Sequence, residues 1–348
     1  MQTRPIGRTG LKTHPFSLGT MTYGTQTPEA DAHRQLDMAV EAGINLIDTA
    51  ELYPVNPISA ETCGDSEVIV GNWLAKSGKR DEVLIATKVA GSGAKAIRDG
   101  APISPETITA AVEASLKRLK TDVIDLYQLH WPNRGSYHFR QNWTFDASGQ
   151  DTADTLKHIQ DVLETLGKLV DAGKIRHIGL SNESAWGTAQ FLRIAEACGL
   201  PRIATIQNEY SLLCRLYDLD LAELSHHEDV GLLAFSPLAA GILTGKYSGN
   251  TIPQGSRRSL NLGLGGRAVN TRSLDVADEY VALAQAHGLD PVHMALAFCS
   301  SRPFMAAAIV GATTSDQLAH LLKGADLVLS DEVRDGIQAI YRRTPMPM

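Results

Sequence analysis

Short apolar runs that alternate with helical segments restrict the fold of this chain more than any other feature. Eight runs occur, at residues 16–19, 45–47, 83–88, 123–129, 175–180, 203–206, 231–235 and 305–310. Most are continuously apolar, which is typical of parallel strands that are buried on both faces. Helical segments with start and stop signals separate them. The pattern therefore predicts an α/β protein built on a parallel sheet.

The number of βα units predicts how the sheet closes. Eight successive units without a break in composition predict one (β/α)8 TIM barrel that spans residues 1–348 as a single domain. A β-hairpin at residues 2–15 precedes the barrel. Long loops at residues 131–152 and 247–270 follow strands 4 and 7, at the carboxyl end where barrel active sites form. A doubly wound parallel sheet is the alternative fold for the same alternation.

Composition and charge restrict the partners of the chain. A net charge of −7 argues against nucleic acid or an anionic membrane as the main partner. The four cysteines are scattered without a metal-ligand spacing, which fits reduced thiols in the cytoplasm. No signal peptide is apparent, and the longest apolar stretch, at residues 230–243, is interrupted and too short to span a bilayer. His226 and His227 resemble the solvated end of a helix, so no metal site is predicted.

Polar and ionisable side chains stand at the ends of three successive predicted strands. Asp48 and Tyr53 follow the second strand, Lys88 ends the third, and His130 follows the fourth. Each residue alone also fits a structural role, such as that of a solvated lysine or a core histidine. Because neighbouring parallel strands end on one rim, the four residues together predict a shared site.

The four groups suit the donation of a proton to a carbonyl oxygen. A free tyrosine titrates near 10, which is too high for an efficient acid–base group at neutral pH. We expect the Lys88 ammonium to lower the pKa of Tyr53, and Asp48 to keep Lys88 charged. His130 would direct the substrate oxygen through a hydrogen bond. None of these residues supplies a hydride, so the chemistry requires a reducing cofactor.

The motifs around these residues resemble those of the aldo-keto reductase family. GINLIDTAELY at residues 43–53 and DLYQLHW at residues 125–131 lie on either side of Lys88. Further matches, in the family's order, are LGTMTYG at 18–24, GKIRHIGLSN at 173–182, QNEYSLL at 207–213, SPLAAGILTGKY at 236–247 and VGATTSDQL at 310–318. The resemblance covers nearly the whole chain, and AELYPV with HWP is similar to a bacterial branch of the family.

The resemblance implies an enzyme that reduces an aldehyde or ketone with NADPH, with NADH less favoured. It implies a catalytic tetrad in which Tyr53 donates the proton, formed by Asp48, Tyr53, Lys88 and His130. The implied cofactor contacts are Thr20, Met21, Asp48, Ser181, Asn182, Gln207, Phe235, Ser236, Pro237, Leu238, Gly241, Lys246, Arg257, Gly311, Thr313 and Gln317. Within this set, Phe235 would stack on the nicotinamide, and Lys246 and Arg257 would face the 2′-phosphate.

The chain departs from the family pattern at the adenine end. His320 and Leu321 stand where the family commonly has an acid and an asparagine that hold the adenine. The candidate substrate contacts are Tyr23 and Trp131. Two other functions fit parts of the pattern. One is a cofactor-sensing regulatory subunit with little turnover, because the resemblance extends to barrels that attach to potassium channels. The other is a Schiff-base aldolase that uses Lys88 as its nucleophile.

Overall fold

An antiparallel hairpin opens the chain, and a closed barrel follows it. The computed structural model describes residues 3–268 and 270–348. The hairpin pairs β1 (Arg4–Pro5) with β2 (Lys12–Thr13). The barrel strands are β3 (Phe16–Gly19), β4 (Leu46–Asp48), β5 (Leu84–Val89), β6 (Ile124–Leu129), β7 (Ile175–Ser181), β8 (Ile203–Glu209), β9 (Gly231–Phe235) and β10 (Met305–Val310).

All barrel strands are parallel, and each pairs with the next along the chain. The last strand, β10, pairs with the first, β3, and this closes the sheet. Closure excludes the doubly wound alternative, because a doubly wound sheet has two open edges. The prediction of a single-domain (β/α)8 TIM barrel with an N-terminal hairpin is confirmed.

Helices follow the strands and cover the outside of the barrel. They are α1 (Glu29–Glu41), α2 (Asp65–Ser77), α3 (Pro105–Leu119), α4 (Thr152–Asp171), α5 (Ala185–Cys198), α6 (Asp220–Glu228), α7 (Arg257–Leu260), α8 (Arg272–Ala286), α9 (Pro291–Ser300), α10 (Ser315–Leu322) and α11 (Asp331–Arg343). Polar caps explain where several of them begin. Ser104, Asp151 and Ser184 accept hydrogen bonds from backbone N–H groups in the first turns of α3, α4 and α5.

The hydrophobic core has two parts, one between the barrel and the helices and one inside the barrel. The inner part takes small and medium apolar side chains from the strands, among them Leu46, Ala86, Leu126 and Leu233. Ile6 of the hairpin joins this cluster and is 2% exposed, so the hairpin closes the amino end of the barrel. Burial of an isoleucine side chain contributes about 1.5–3 kcal/mol, which fixes the hairpin in place.

Polar side chains replace apolar ones toward the carboxyl end of the barrel. Side chains on a strand return to the same face every second residue. Asp48 therefore follows Leu46 into the barrel interior, and Lys88 follows Ala86 in the same way. The inner apolar layer thus forms the floor of a polar site.

The two long loops predicted after the fourth and seventh barrel strands are present. The first connects β6 to α4, and the second connects β9 to α8. The second loop contains α7 and 3₁₀ turns at Ala239–Thr244 and Ser248–Asn250. Both loops leave the carboxyl end of the barrel. Within residues 3–268 and 270–348, no helix has the length and apolar character needed to cross a membrane.

Candidate active site at the carboxyl end of the barrel

A buried ion pair lies at the centre of the polar layer. The Lys88 ammonium donates to Asp48 Oδ2 at 2.7 Å and to the backbone carbonyl of Thr49 at 2.7 Å. Lys88 has no exposed surface, and Asp48 is 2% exposed. Both charges come from neighbouring strands, β4 and β5, whose pairing sets their separation. A pair that is buried this completely keeps its geometry because neither group has water as an alternative partner.

Two aromatic rings stand over this ion pair. Lys88 Nζ lies 4.8 Å from the centroid of the Tyr53 ring. The imidazole of His130 meets the same ring edge to face, with centroids 5.9 Å apart. The structure therefore brings together Asp48, Tyr53, Lys88 and His130, the four residues that the sequence analysis grouped into one site.

Charge and burial set the protonation states of the pair. Burial lowers the pKa of Lys88, but the charge of Asp48 and the hydrogen bond between them outweigh burial, so the net shift is upward. Lys88 is thus an ammonium, as we expected. Burial raises the pKa of Tyr53, and the Lys88 charge only partly opposes it. The expectation that Lys88 brings the pKa of Tyr53 below its free value is therefore wrong, and the phenol keeps its proton at neutral pH.

The His130 side chain is a neutral imidazole. Burial lowers the pKa of His130 well below its usual range, and the nearby Lys88 ammonium lowers it further. Its Nδ1 atom is buried and has no hydrogen-bond partner among the described residues. A neutral imidazole can donate a hydrogen bond from one nitrogen, and it does not compete with Tyr53 as an acid.

Two glutamines complete the surroundings of Asp48. Gln207 Nε2 donates to Asp48 Oδ1 at 2.8 Å, and Gln128 Nε2 lies 3.3 Å from the same oxygen. Gln128 was missed by the sequence analysis. Its position two residues before His130 places it on the inward face of β6, and this spacing of two is the signal that would have found it.

The predicted nicotinamide side of the site is formed by the ends of β7 and β8. Asn182 donates from Nδ2 to the backbone carbonyl of His130 at 2.9 Å and to Ser181 Oγ at 3.1 Å. Ser181 in turn donates to the backbone carbonyl of Gln207 at 2.8 Å. The carbonyl oxygen of the Asn182 side chain is buried without a partner among the described residues. A buried acceptor of this kind needs an outside donor, and the amide of a nicotinamide has one to offer.

The second long loop begins with the residues predicted to follow the pyrophosphate. Phe235 ends β9 and packs partly on the inner core. Ser236 has φ of 55° and its Oγ accepts from Arg267 at 3.2 Å. Pro237 is buried, and Leu238 packs on the outer core.

A turn follows in which Gly241 has a positive φ. A side chain at Gly241 would meet Lys246 Nζ at 2.9 Å, so glycine is what lets Lys246 fold back over this turn.

Cationic side chains gather where these loops meet. Burial and the neighbouring Arg267 lower the pKa of Arg257 to about 10. The buried carboxylate of Glu209 accepts from Arg267 at 2.5 Å and from Arg140 at 2.7 Å. A cluster of three guanidinium groups around one carboxylate keeps net positive charge, which suits a bound anion. Sequence reasoning found Arg257 and missed the other three residues.

The remaining predicted cofactor residues lie around the first and last barrel strands. Thr20 is buried, and its Oγ1 donates to the backbone carbonyl of Asp48 at 3.0 Å. The Met21 carbonyl accepts from the Val55 N–H at 3.1 Å. The side-chain oxygen of Gln317, Oε1, accepts from the N–H of Thr313 at 3.0 Å, just before α10 begins. Gly311 lies beside the end of β3, where a Cβ atom would be 3.4 Å from the Gly19 carbonyl.

The two candidate substrate contacts differ in their surroundings. Trp131 lies beside the site: its ring centroid is 4.8 Å from that of His130 and 6.1 Å from that of Phe139. Tyr23 has no exposed surface, and its hydroxyl donates to Gln35 in α1. The prediction that Tyr23 contacts substrate is therefore wrong, because its ring packs in the outer core between the barrel and the helices.

Comparison with known proteins assigns the class. The model of the Aldo/keto reductase family matches residues 15–342, and the chain belongs to that family. It is therefore an oxidoreductase that uses a nicotinamide cofactor and acts on a small-molecule substrate.

Individual relatives place it within the family. The chain is 45% identical to the protein Tas of Escherichia coli, over 98% of both chains. The bacterial branch predicted from AELYPV and HWP is thus the Tas-like one, and this prediction is confirmed. The chain is also 30% identical to the uncharacterized oxidoreductase YrpG of Bacillus subtilis, over 98% of this chain and 96% of that protein. It is 28% identical to a probable voltage-gated potassium channel subunit beta of rice, Oryza sativa, over 99% of this chain and 98% of that protein.

Proposed function

We propose that this protein reduces an aldehyde or ketone to an alcohol with NADPH, and that Tyr53 donates the proton. The observation that carries the proposal is the buried Lys88–Asp48 pair beneath the Tyr53 ring. Negative charge develops on the phenol oxygen as its proton leaves. A fixed ammonium held in a dry site stabilises that charge without reorganisation. Asp48 has a positioning role, because it holds the ammonium in place and in its charged form.

The cofactor supplies the hydride, and residues of this chain hold both reactants in position. The unpartnered Asn182 oxygen supports binding of the nicotinamide amide, together with Ser181 and Gln207. Phe235 offers an aromatic face beside the inner core. His130, whose ring lies 5.9 Å from that of Tyr53, would donate to the substrate oxygen from one imidazole nitrogen and so orient the carbonyl toward the phenol proton.

A preference for NADPH over NADH follows from the excess of positive charge around Arg257. A 2′-phosphate placed there would bring an anion to a guanidinium whose pKa is lowered by burial and by Arg267. Lys246 lies on the same loop, at the turn that contains Gly241. Guanidinium groups bind phosphate through paired, charge-assisted hydrogen bonds. The proposed site of action is the cytoplasm.

The aromatic side chains beside the site favour an apolar or aromatic substrate. Trp131 packs against His130, and Phe139 packs against Trp131. Phe139 is 43% exposed, so a substrate can reach this wall from solvent. Trp131 is held by a hydrogen bond from its Nε1 to the Ser92 carbonyl at 3.0 Å, which fixes the plane of its ring.

Two other functions receive less support. A Schiff-base lysine needs a lowered pKa and access to the substrate carbon. Lys88 has a raised pKa and no exposed surface, which argues against an aldolase. A cofactor-sensing subunit is favoured only by relatives such as the probable potassium channel subunit beta of rice.

Turnover distinguishes the reductase from the sensor. The test follows NADPH and NADH consumption with a panel of aromatic and aliphatic aldehydes and ketones. We expect steady turnover with NADPH and at least one carbonyl class. Tight NADPH binding without turnover across the panel would support the sensor and contradict the reductase.

A further inference from the structure

A cluster of two histidines and one aspartate lies outside the site described above. Asp290 and His293 are at the start of α9, and His320 is near the end of α10. One candidate ligand atom from each side chain lies within 4.8 Å of the other two. The proposed reduction uses none of these three side chains.

Local contacts already hold the three side chains in place. Asp290 caps α9 through Oδ1, which accepts from the N–H groups of Val292 and His293. Its second oxygen, Oδ2, lies 3.1 Å from His320 Nε2. The His293 ring packs against Gly324 so closely that a Cβ atom there would be 2.4 Å from His293 Cγ. His293 Nε2 also donates to the backbone carbonyl of His320 at 2.8 Å, which leaves Nδ1 as the metal-binding nitrogen of this ring. These contacts hold the cluster largely preformed.

The three candidate ligand atoms favour one class of metal ion. Two imidazole nitrogens and one carboxylate oxygen are borderline ligands that suit Zn²⁺ and its neighbours in the transition series. Mg²⁺ and Ca²⁺ prefer sets made only of oxygen atoms. Ligand atoms of a tetrahedral zinc site lie about 3.4 Å apart, given bonds of about 2.1 Å. Asp290 Oδ2 and His320 Nε2 already have nearly this spacing. Because all three candidate ligand atoms lie within 4.8 Å of one another, only a small shift of the side chains is needed to bring His293 into range.

We propose that Asp290, His293 and His320 form a binding site for a divalent transition-metal ion that joins α9 to α10. Three protein ligands leave a coordination position for water. The side chains of Asp290 and His320 are 33% and 45% exposed, so an ion can enter from solvent. His320 stands where the family commonly has an adenine-binding residue. The proposed metal site gives this difference from the family a physical role, because the His320 ring pairs with Asp290 there.

The test measures binding of the metal alone to tag-free, chelator-treated full-length protein. Calorimetry with Zn²⁺ and absorption spectroscopy with Co²⁺ report stoichiometry and coordination. We expect one ion per chain, and visible ligand-field bands from Co²⁺ bound by nitrogen and oxygen. Excess Mg²⁺ should not displace the ion.

Ligand variants assign the site. His293→Gln and His320→Gln should each weaken binding about tenfold or more, since even outer partners of metal ligands contribute about tenfold to 100-fold. Asp290→Asn removes the charge and retains an acceptor for the α9 cap, so it should weaken binding without unfolding the helix.

The matched control changes the adjacent histidines at the end of α6. His226→Gln with His227→Gln should leave the affinity unchanged. Absence of Zn²⁺ binding to the wild-type protein would overturn the proposal, and the cluster would then serve only as a helix cap with an ion pair. Binding that survives both His293→Gln and His320→Gln, or that is lost in the control, would also overturn it.

Discussion

At the residue scale, Tyr53 depends on its neighbours for its chemistry. Its raised pKa keeps the phenol protonated, as a proton donor requires. The Lys88 ammonium acts against burial and stabilises the phenolate once the proton has left. The sequence placed these groups together because each follows a strand that ends on one rim. It did not predict the direction of the net pKa shift, because that depends on how completely the site is buried.

The first prediction concerns Lys88. Lys88→Met should lower kcat by roughly 10²–10⁴-fold even with Tyr53 intact, because the departing proton would leave an unstabilised phenolate. It should also cost about 3–5 kcal/mol of stability, since Asp48 stays buried without its partner. Steady-state kinetics below the melting temperature separate the two effects. Lys95→Met, in the exposed loop after the same strand, is the control and should match wild type. A kcat for Lys88→Met equal to that of wild type would contradict the role of the ammonium.

The second prediction concerns Arg257. Arg257→Ala should raise the Kd for NADPH by roughly 10–100-fold, because one charge-assisted contact with the 2′-phosphate contributes about 1.5–3 kcal/mol. The Kd for NADH should stay within about twofold, since NADH has no 2′-phosphate. Arg272→Ala, at an exposed position at the start of α8, is the matched control. Fluorescence titration measures the six affinities, those of wild type and the two variants for each cofactor. An equal loss for both cofactors would show that Arg257 has a structural role instead.

At the element scale, strand β8 extends further than its sequence predicts. The apolar run ends at Ile206, whereas the strand continues to Glu209. Each added polar side chain has a partner: Gln207 binds Asp48, Asn208 binds the Glu183 carbonyl, and Glu209 binds two arginines. These partners are distant in sequence. Pattern alone therefore could not show that polar residues continue a buried strand.

The third prediction tests Glu209 as the link between the two long loops. Arg140 belongs to the loop after β6 and Arg267 to the loop after β9. Glu209→Gln should destabilise the protein by about 3–5 kcal/mol, because it leaves two largely buried guanidinium groups without a carboxylate. We also expect a protease to cleave both loops faster in this variant than in wild type. Mass spectrometry of the fragments identifies the cleavage sites.

A surface pair provides the control for that experiment. Glu228 pairs with Arg202 and its side chain is 42% exposed. Glu228→Gln should change stability by about 0–1 kcal/mol and leave the proteolysis pattern unchanged. If Glu209→Gln behaves like Glu228→Gln, the two loops are not held together by Glu209.

At the scale of the whole molecule, the barrel was predictable and its surface clusters were not. Eight apolar runs with helical segments between them predicted the closed sheet, because each run and the helix that follows it are local features of the sequence. The Tyr23 ring was placed wrongly because its motif lies beside the site in sequence while its side chain points into the outer core. The cluster of Asp290, His293 and His320 joins two helices, which no spacing within one motif could show.

The fourth prediction concerns the pH dependence of folding. Burial lowers the pKa of His138 to about 4. The unfolded chain binds a proton at this ring below pH of about 6.5, so stability is fully present above that pH and is lost as the pH falls toward 4. The loss from this residue is about 3 kcal/mol. Urea unfolding of wild type and His138→Gln at several pH values measures the free energy of unfolding. This free energy should decline less steeply with falling pH in the variant than in wild type. Identical slopes in the two proteins would contradict the assignment.

The central claim is tested most directly by a single turnover. Protein preloaded with NADPH is mixed with an aldehyde substrate, and oxidation of the bound cofactor is followed by absorbance in wild type and Tyr53→Phe. We predict an oxidation rate roughly 10²–10⁴-fold lower in Tyr53→Phe, with the Kd for NADPH unchanged. An equal rate in the two proteins would show that Tyr53 is not the proton donor.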